Sequence, residues 1–269
     1  MPSRAKRRFA QHFLEPVWVD RVVKIIQPQP TDTFIEIGAG RGALTLALAR
    51  SHARVIAIEI DRDLVASLKP SVPSNVTIIE RDVLTLHLAH LPDLPDEPIR
   101  VVGNLPYSVG SPILLALLRS SGHGTRLKDA VVMLQREVAD RVTASPNSRD
   151  WGPLAIATQL HAEPARALSL PPGAFRPMPR VRSAVVTLRF RPPPVSVRDS
   201  ALLNRVVRGI FTQRRKTAVN ALRPLVSQLS RLSAEEVFRQ AGVDPRRRPA
   251  ELELAELAEL ADVLAANLN

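Results

Sequence analysis

The 269-residue chain contains no cysteine. Disulfides, thiolate zinc sites and a cysteine nucleophile are thereby excluded, and the composition suits a reducing compartment. Histidines number six and are scattered without ligand spacing, so no metal is expected. Tyrosine occurs once, at Tyr107. No uninterrupted apolar run reaches the roughly 18 residues of a membrane span. The nearest candidate, residues 101–118, carries Asn104, Pro106, Pro112 and two glycines. The amino terminus is basic but no apolar signal core follows it, so secretion is not expected and a cytoplasmic location is.

Acidic residues are the scarcer sign, 26 against 37 basic, for a net charge of +11. The excess is uneven. Residues 1–10 hold Arg4, Lys6, Arg7 and Arg8 with no acid, while residues 170–250 hold 17 basic and 4 acidic side chains. The stretch 251–269 has five acids and no base, and 11–169 is close to neutral. A charge run is usually a solvated face. Yet 13 excess positive charges within 81 residues repel one another without an anionic partner, and nucleic acid is the commonest one.

The organising stretch is Thr33-Phe-Ile-Glu-Ile-Gly-Ala-Gly-Arg-Gly42, followed by Ala43–Arg50. Apolar residues running into spaced glycines and then a helical pattern read as the first strand, turn and helix of a nucleotide-binding α/β domain. The order Glu36-x-Gly38-x-Gly40-x-Gly42 lacks the Gly-x-x-Gly segment of a dinucleotide fingerprint, which points away from a pyrophosphate ligand. Further strands are expected at 53–60, 75–82, 99–103 and 129–135, with helices at 16–27, 62–68, 111–120, 136–144 and 153–161. Two closing strands, 164–170 and 184–190, have no helix between them, only the loop 171–179, and predict a terminal hairpin. The fold class is therefore α/β, with a mostly parallel doubly wound sheet. Arg191-Pro-Pro-Pro-Val195 is a stiff linker, and helices at 199–213, 215–230, 234–241 and 250–266 follow it.

Open α/β sheets place ligands at the carboxyl ends of their strands. Glu59, some twenty residues past the glycines, stands where a carboxylate would hold a ribose diol, whereas Asp61 suits a helix cap. Asn104-Leu-Pro-Tyr107 ends a central strand. An amide oxygen and an exposed carbonyl there could accept both hydrogens of an adenine amine, with Pro106 fixing the turn and offering no donor. Tyr107 would stack on the base. Taken alone, the tetrapeptide reads better as a turn with an N-cap asparagine.

The set Gln11-His-Phe-Leu14, Glu36–Gly42, Ala57-Ile-Glu-Ile-Asp61, Arg81-Asp82, Asn104–Tyr107, Phe175–Val181 with Ser183–Val186, and Phe211–Thr217 resembles the KsgA-type family. These are S-adenosylmethionine-dependent dimethyltransferases of small-subunit ribosomal RNA, and the resemblance spans nearly the whole chain. It implies a class I, Rossmann-like methyltransferase domain over residues 1–192 and a helical RNA- and ribosome-binding domain over 197–269. It further implies that His12, Leu14, Glu36, Gly38, Gly40, Glu59, Asp82, Val83 and Asn104 surround S-adenosylmethionine. Asn104, Leu105, Pro106, Tyr107 and Phe175 would hold a flipped adenine. RNA would meet Arg4, Lys6, Arg7, Arg8, Arg180, Arg214, Arg215, Lys216, Arg246, Arg247 and Arg248. The implied partner is small-subunit rRNA within a pre-formed subunit, bound by a monomer away from membranes. Arg182 and Ser108-Val109-Gly110 depart from the usual family pattern. The rival readings are an Erm-type enzyme acting on a large-subunit adenine, a DNA adenine methyltransferase, and a ribosome-assembly factor that binds without needing turnover.

Overall fold

The computed structural model describes residues 11–268 apart from 87, 89, 90, 92, 93, 95 and 122–125. Arg4, Lys6, Arg7 and Arg8 lie outside the described residues. The chain divides into two compact units, Met1–Ala139 with His161–Arg191, and Asp140–Leu160 with Pro192–Asn269.

The first unit begins with a two-residue strand β1 (Phe13–Leu14) and helix α1 (Pro16–Ile26), whose Pro16 occupies the opening turn and whose Val19, Val22 and Ile26 are buried. Proline suits that position because its missing N–H has no partner there anyway. Then follow β2 (Thr33–Ile37), α2 (Ala43–Ala49), β3 (Arg54–Glu59), α3 (Arg62–Leu68), β4 (Val76–Glu80), β5 (Ile99–Asn104), α4 (Gly110–Ser120) and β6 (Leu127–Gln135). After α5 (Arg136–Val142) and α6 (Pro153–His161) come β7 (Ala162–Leu170), β8 (Phe175–Arg176) and β9 (Ser183–Phe190). Seven strands form one sheet in the order β4-β3-β2-β5-β6-β9-β7. The first five run parallel, and β9 lies antiparallel between β6 and β7. All five residues of β2 are buried, as a central strand covered on both faces requires. The expected hairpin is present, and its second strand rather than its first joins the parallel sheet.

The 171–179 segment is more than a loop. Phe175 and Arg176 within it pair with Leu14 and Phe13, and a strand of two residues is too short to show a period of two.

The second unit contains α7 (Ser200–Phe211), α8 (Ala218–Leu229), α9 (Ala234–Gln240) and α10 (Leu254–Ala266). Asp199 caps α7, its Oδ1 accepting from the Ala201 and Leu202 amides at 2.8 and 2.9 Å. Its core gathers Leu203, Ile210, Leu222, Phe238 and Leu257. Ala144, Trp151, Ala155, Ile156 and Leu160 lie in that same core, so the 140–160 excursion belongs here and not with the sheet, where the linker position had placed it. The cause is apolar: Trp151 is buried among these helices and its indole N–H donates to the Leu252 carbonyl at 2.9 Å. Among the described residues no helix is long and apolar enough to cross a membrane.

Candidate active site

The sheet order reverses between β2 and β5, since the chain builds β3 and β4 to one side and β5 and β6 to the other. Such a switch point opens a crevice beyond the carboxyl ends of the strands. Here it is lined by Ile37 at the end of β2 with Gly38 and Gly40 after it, by Ile58 and Glu59 at the end of β3 with Ile60 after it, and by Arg81–Leu84 after β4. Asn104 at the end of β5 and the residues after it through Val109 line it as well, and Gln11, His12 and Phe13 close one side. Gly103 lets β5 approach β2 this closely, because a Cβ there would stand 2.6 Å from the Ile37 carbonyl oxygen.

Backbone amides organise the carboxylates. Glu59 Oε2 accepts from the Gly40 N–H at 2.8 Å, and its Oε1 accepts from the Ile60 and Asp61 amides at 2.8 Å each. Gly40 itself has φ +58°, a conformation that glycine adopts without strain. Asp61 caps α3 through the Asp63 amide, and its other oxygen accepts from Gln11 Nε2 at 2.9 Å. Asp82 Oδ1 accepts from the Leu84 amide at 2.9 Å.

The amino-terminal segment is strapped to the crevice at several points. Asn104 Nδ2 donates to the His12 carbonyl at 2.7 Å, which turns Oδ1 of the amide the other way. The helix beyond is preceded by Val109 at its N-cap position, so Asn104 ends a strand and caps no helix. His12 Nδ1 lies 2.7 Å from the Pro177 carbonyl; a carbonyl only accepts, so that nitrogen carries the proton. The His12 ring stacks on Tyr107 with centroids 5.2 Å apart, and the Tyr107 hydroxyl meets Ser183 Oγ at 2.5 Å. Burial pushes the Tyr107 phenol above its ordinary pKa against the pull of that serine.

The sequence profile described as ribosomal RNA adenine dimethylase matches residues 2–265. The chain belongs to the ribosomal RNA adenine dimethylase family. It is 42% identical over 266 residues to "Ribosomal RNA small subunit methyltransferase A" of Pseudomonas aeruginosa, covering 97% of this chain and 95% of that one. A dimethyladenosine transferase from Plasmodium falciparum shares the fold, with a TM-score of 0.77 at 21% identity over 93% of this chain and 96% of that one. The 23S rRNA methyltransferase ErmE is similar at TM-score 0.65 and 25% identity over 94% and 99% of the two chains. Membership makes this chain a methyltransferase with the Rossmann-like α/β fold expected of it.

In this dimethylase three of the expected site residues stand elsewhere than the resemblance implied. Phe175 does not face the crevice: it is buried in the core beside Leu14 and Ala174. Leu14 is buried with it, its backbone paired to Phe175, and the crevice wall comes from Gln11, His12 and Phe13 instead. Glu36 lies within the sheet, behind the glycine turn, and neither its Oε2 nor the neighbouring Thr45 Oγ1 has a hydrogen-bond partner among the described residues. Burial, helped by the Glu59 charge and opposed by Thr45, pushes its pKa up to about 8. Conversely, Ile60 and Leu84 line the crevice and are exposed. The available signal was an apolar residue placed just beyond each acidic strand end.

The basic positions divide. Arg180, Arg215, Lys216, Arg246 and Arg248 are exposed, although Arg246 pairs with Asp244 at 3.2 Å. Arg214 is exposed too, yet its guanidinium donates to the Arg149 and Trp151 carbonyls at 2.8 Å. Arg247 is half-buried between Glu256 and the Glu251 carbonyl. These two hold the helical unit together before they hold any phosphate.

Proposed function

We propose that this dimethylase transfers methyl groups from S-adenosylmethionine to the N6 amines of two adjacent adenines near the 3′ end of small-subunit ribosomal RNA. It would act in the cytoplasm, as a monomer, on a pre-formed small subunit. The observation that carries the reading is the Asn104 amide, whose nitrogen is held by the His12 carbonyl at 2.7 Å and whose oxygen is thereby left to accept. The name of the Pseudomonas aeruginosa relative supports the choice of subunit.

The residues present fit the cofactor. The glycine turn offers a wall without side chains where a Cβ on Gly38 would stand 3.6 Å from the Asn104 carbonyl oxygen. A carboxylate has about four acceptor directions; amides fill three on Glu59, leaving one on Oε2 for a ribose hydroxyl. Asp82 keeps Oδ2 for an adenine amine, with Ile60, Val83 and Leu84 as apolar walls for the ring. When bound, S-adenosylmethionine supplies an electrophilic methyl group.

On the substrate side, Asn104 Oδ1 and the Leu105 carbonyl accept the two hydrogens of the target amine, so its lone pair is directed away from them. Pro106 adds no competing donor. One face of Tyr107 is taken by His12, and the other serves the base. An adenine reaches this position only by leaving its stack. No side chain needs to remove a proton beforehand, because the methylated amine is acidic and yields its proton to water. Catalysis is then largely alignment, which supplies on the order of 7–11 kcal/mol.

Transfer from labelled S-adenosylmethionine to unmethylated small subunits, large subunits and duplex DNA, run in parallel, tests the assignment. Dimethyladenosine at two neighbouring positions near the small-subunit RNA 3′ end is expected by mass spectrometry. Label confined to large subunits would replace the assignment with the ErmE-like alternative.

A further inference from the structure

The loop from Pro177 to Ser183 presents an unusual surface. Met178 is 60% exposed and Val181 44%, whereas Pro179 between them is buried. Arg180 and Arg182 are exposed as well, so Met178, Arg180, Val181 and Arg182 form an outward row in which apolar and cationic side chains are interleaved. No acidic residue interrupts 177–183. The nearest upstream cation has other work, since Arg176 donates to the Phe175 carbonyl at 3.0 Å and stands 3.9 Å from Glu15.

The backbone carrying this row is fixed at both ends to the wall of the crevice. The Pro177 carbonyl accepts from His12, and Ser183 Oγ meets the Tyr107 hydroxyl. In addition, the Arg182 carbonyl accepts from the Arg136 amide at 2.9 Å. Pro177 at the first anchor and Pro179 beyond it restrict the chain. Consecutive Cα atoms lie about 3.8 Å apart, so Met178 is one peptide from a residue touching His12, and Val181 two from a residue touching Tyr107. The loop that carries these exposed apolar side chains therefore borders the place where the base would be held. On a loop tethered beside the crevice, they offer apolar surface to whatever enters there.

We propose that Met178 and Val181 form a wedge that enters the gap left in the RNA stack when the target adenine swings into the crevice, while Arg180 and Arg182 take the flanking phosphates. This inference rests on the proposed reading of the site. Apolar side chains inserted between bases are a general means of holding nucleic acid unstacked, and the opened position costs the enzyme least when something fills it. The alternation explains why the apolar and cationic residues share one short loop: base faces want the first and phosphates the second. A protein partner would have no such need of the two arginines beside the base site.

The test uses the full chain with Met178→Ala, Val181→Ser, the double variant, and Met178→Leu as the conservative control. All three substitutions are at exposed positions, so unchanged melting of the four variants is expected. Three quantities are read: the single-turnover methylation rate at saturating unmethylated small subunits, equilibrium subunit affinity, and the fluorescence of a small-subunit RNA fragment with 2-aminopurine at the target position. The double variant should lose about ten- to a hundredfold in rate, as expected for an unstacking step worth a few kcal/mol. Subunit affinity should change less than about threefold because phosphate contacts dominate it. The fluorescence rise on binding should shrink, and Met178→Leu should retain rate and signal. If the unaltered chain methylates small subunits and the double variant matches its rate and fluorescence, the wedge is refuted while the function stands. A loss of affinity with the rate intact would make the loop a docking surface and also refute the wedge. Failure of the unaltered chain to methylate small subunits would overturn the proposed function, and this inference with it.

Discussion

Replacing Glu36 by glutamine tests whether the strand beneath the glycine turn holds a neutral carboxyl. Glu36 is 2% exposed on a strand buried along its whole length, and its Oε2 has no hydrogen-bond partner among the described residues. Burial lifts its pKa from 4.5 to about 8, and the Glu59 charge adds to the effect. A carboxyl whose folded pKa lies above its unfolded one binds more protons folded than unfolded between those values. Stability must then fall as pH rises through that window, by up to about 1.4 kcal/mol per pH unit, and level off above it. Across the window the total is on the order of 4 kcal/mol. Glutamine has the shape of the neutral acid and cannot ionise. The variant should match the parent within about 1 kcal/mol near pH 5 and exceed it by on the order of 4 kcal/mol near pH 8.5. At about 2–4 °C per kcal/mol, that is a difference of roughly 10 °C in melting temperature. Calorimetry of both proteins at about pH 5, 6.5 and 8.5 reads it directly. An offset that is the same at every pH would mean that Glu36 is charged in the fold and that the reasoning about its burial is wrong.

Glu59→Gln places an NH2 or a weaker carbonyl against three backbone amides. It should cost about 1.5–3 kcal/mol of stability and weaken S-adenosylmethionine binding by calorimetric titration; unchanged values in both would show that the turn stands without it. Arg215→Ala with Lys216→Ala should weaken small-subunit binding and reduce its salt slope by about two, with cofactor affinity untouched. Arg214→Ala should instead lower the melting temperature, since its guanidinium ties two carbonyls; a variant that melts normally would return Arg214 to the phosphate-binding set.

The parts of this molecule that follow a period were legible in its sequence. Continuous apolar runs ending in Glu36-Ile37, Glu59 and Asn104 located the strands, and the carboxyl-end rule then placed the crevice. Pairing between Phe13–Leu14 and Phe175–Arg176 was not legible, because it depends on residues far apart in the chain and too few to show alternation. The burial of Phe175 was not legible for the same reason: whether an aromatic faces a ligand or the core depends on which strand it joins. Glu36 carries the same letters as a ligand-facing acid, and only its position behind the turn reveals it as buried. The 140–160 excursion shows that a proline-rich linker marks one crossing between compact units but not every crossing. Asn104 was ambiguous between cap and ligand until Val109 appeared at the helix start.

The alignment account stands or falls on Asn104. Its amide oxygen should tighten on the amine as the methyl arrives, so its loss should be felt in turnover rather than in binding. Asn104→Ala also removes the tie to the His12 carbonyl, so cofactor affinity and melting are measured alongside. The decisive measurement is the single-turnover rate of Asn104→Ala with small subunits and S-adenosylmethionine both saturating. The account predicts a rate lower by about a hundredfold or more, in line with the loss of one preorganised polar group, and subunit affinity close to that of the parent. Methylation at the parent rate under saturation would contradict it and leave Asn104 as a strap for the amino-terminal segment alone.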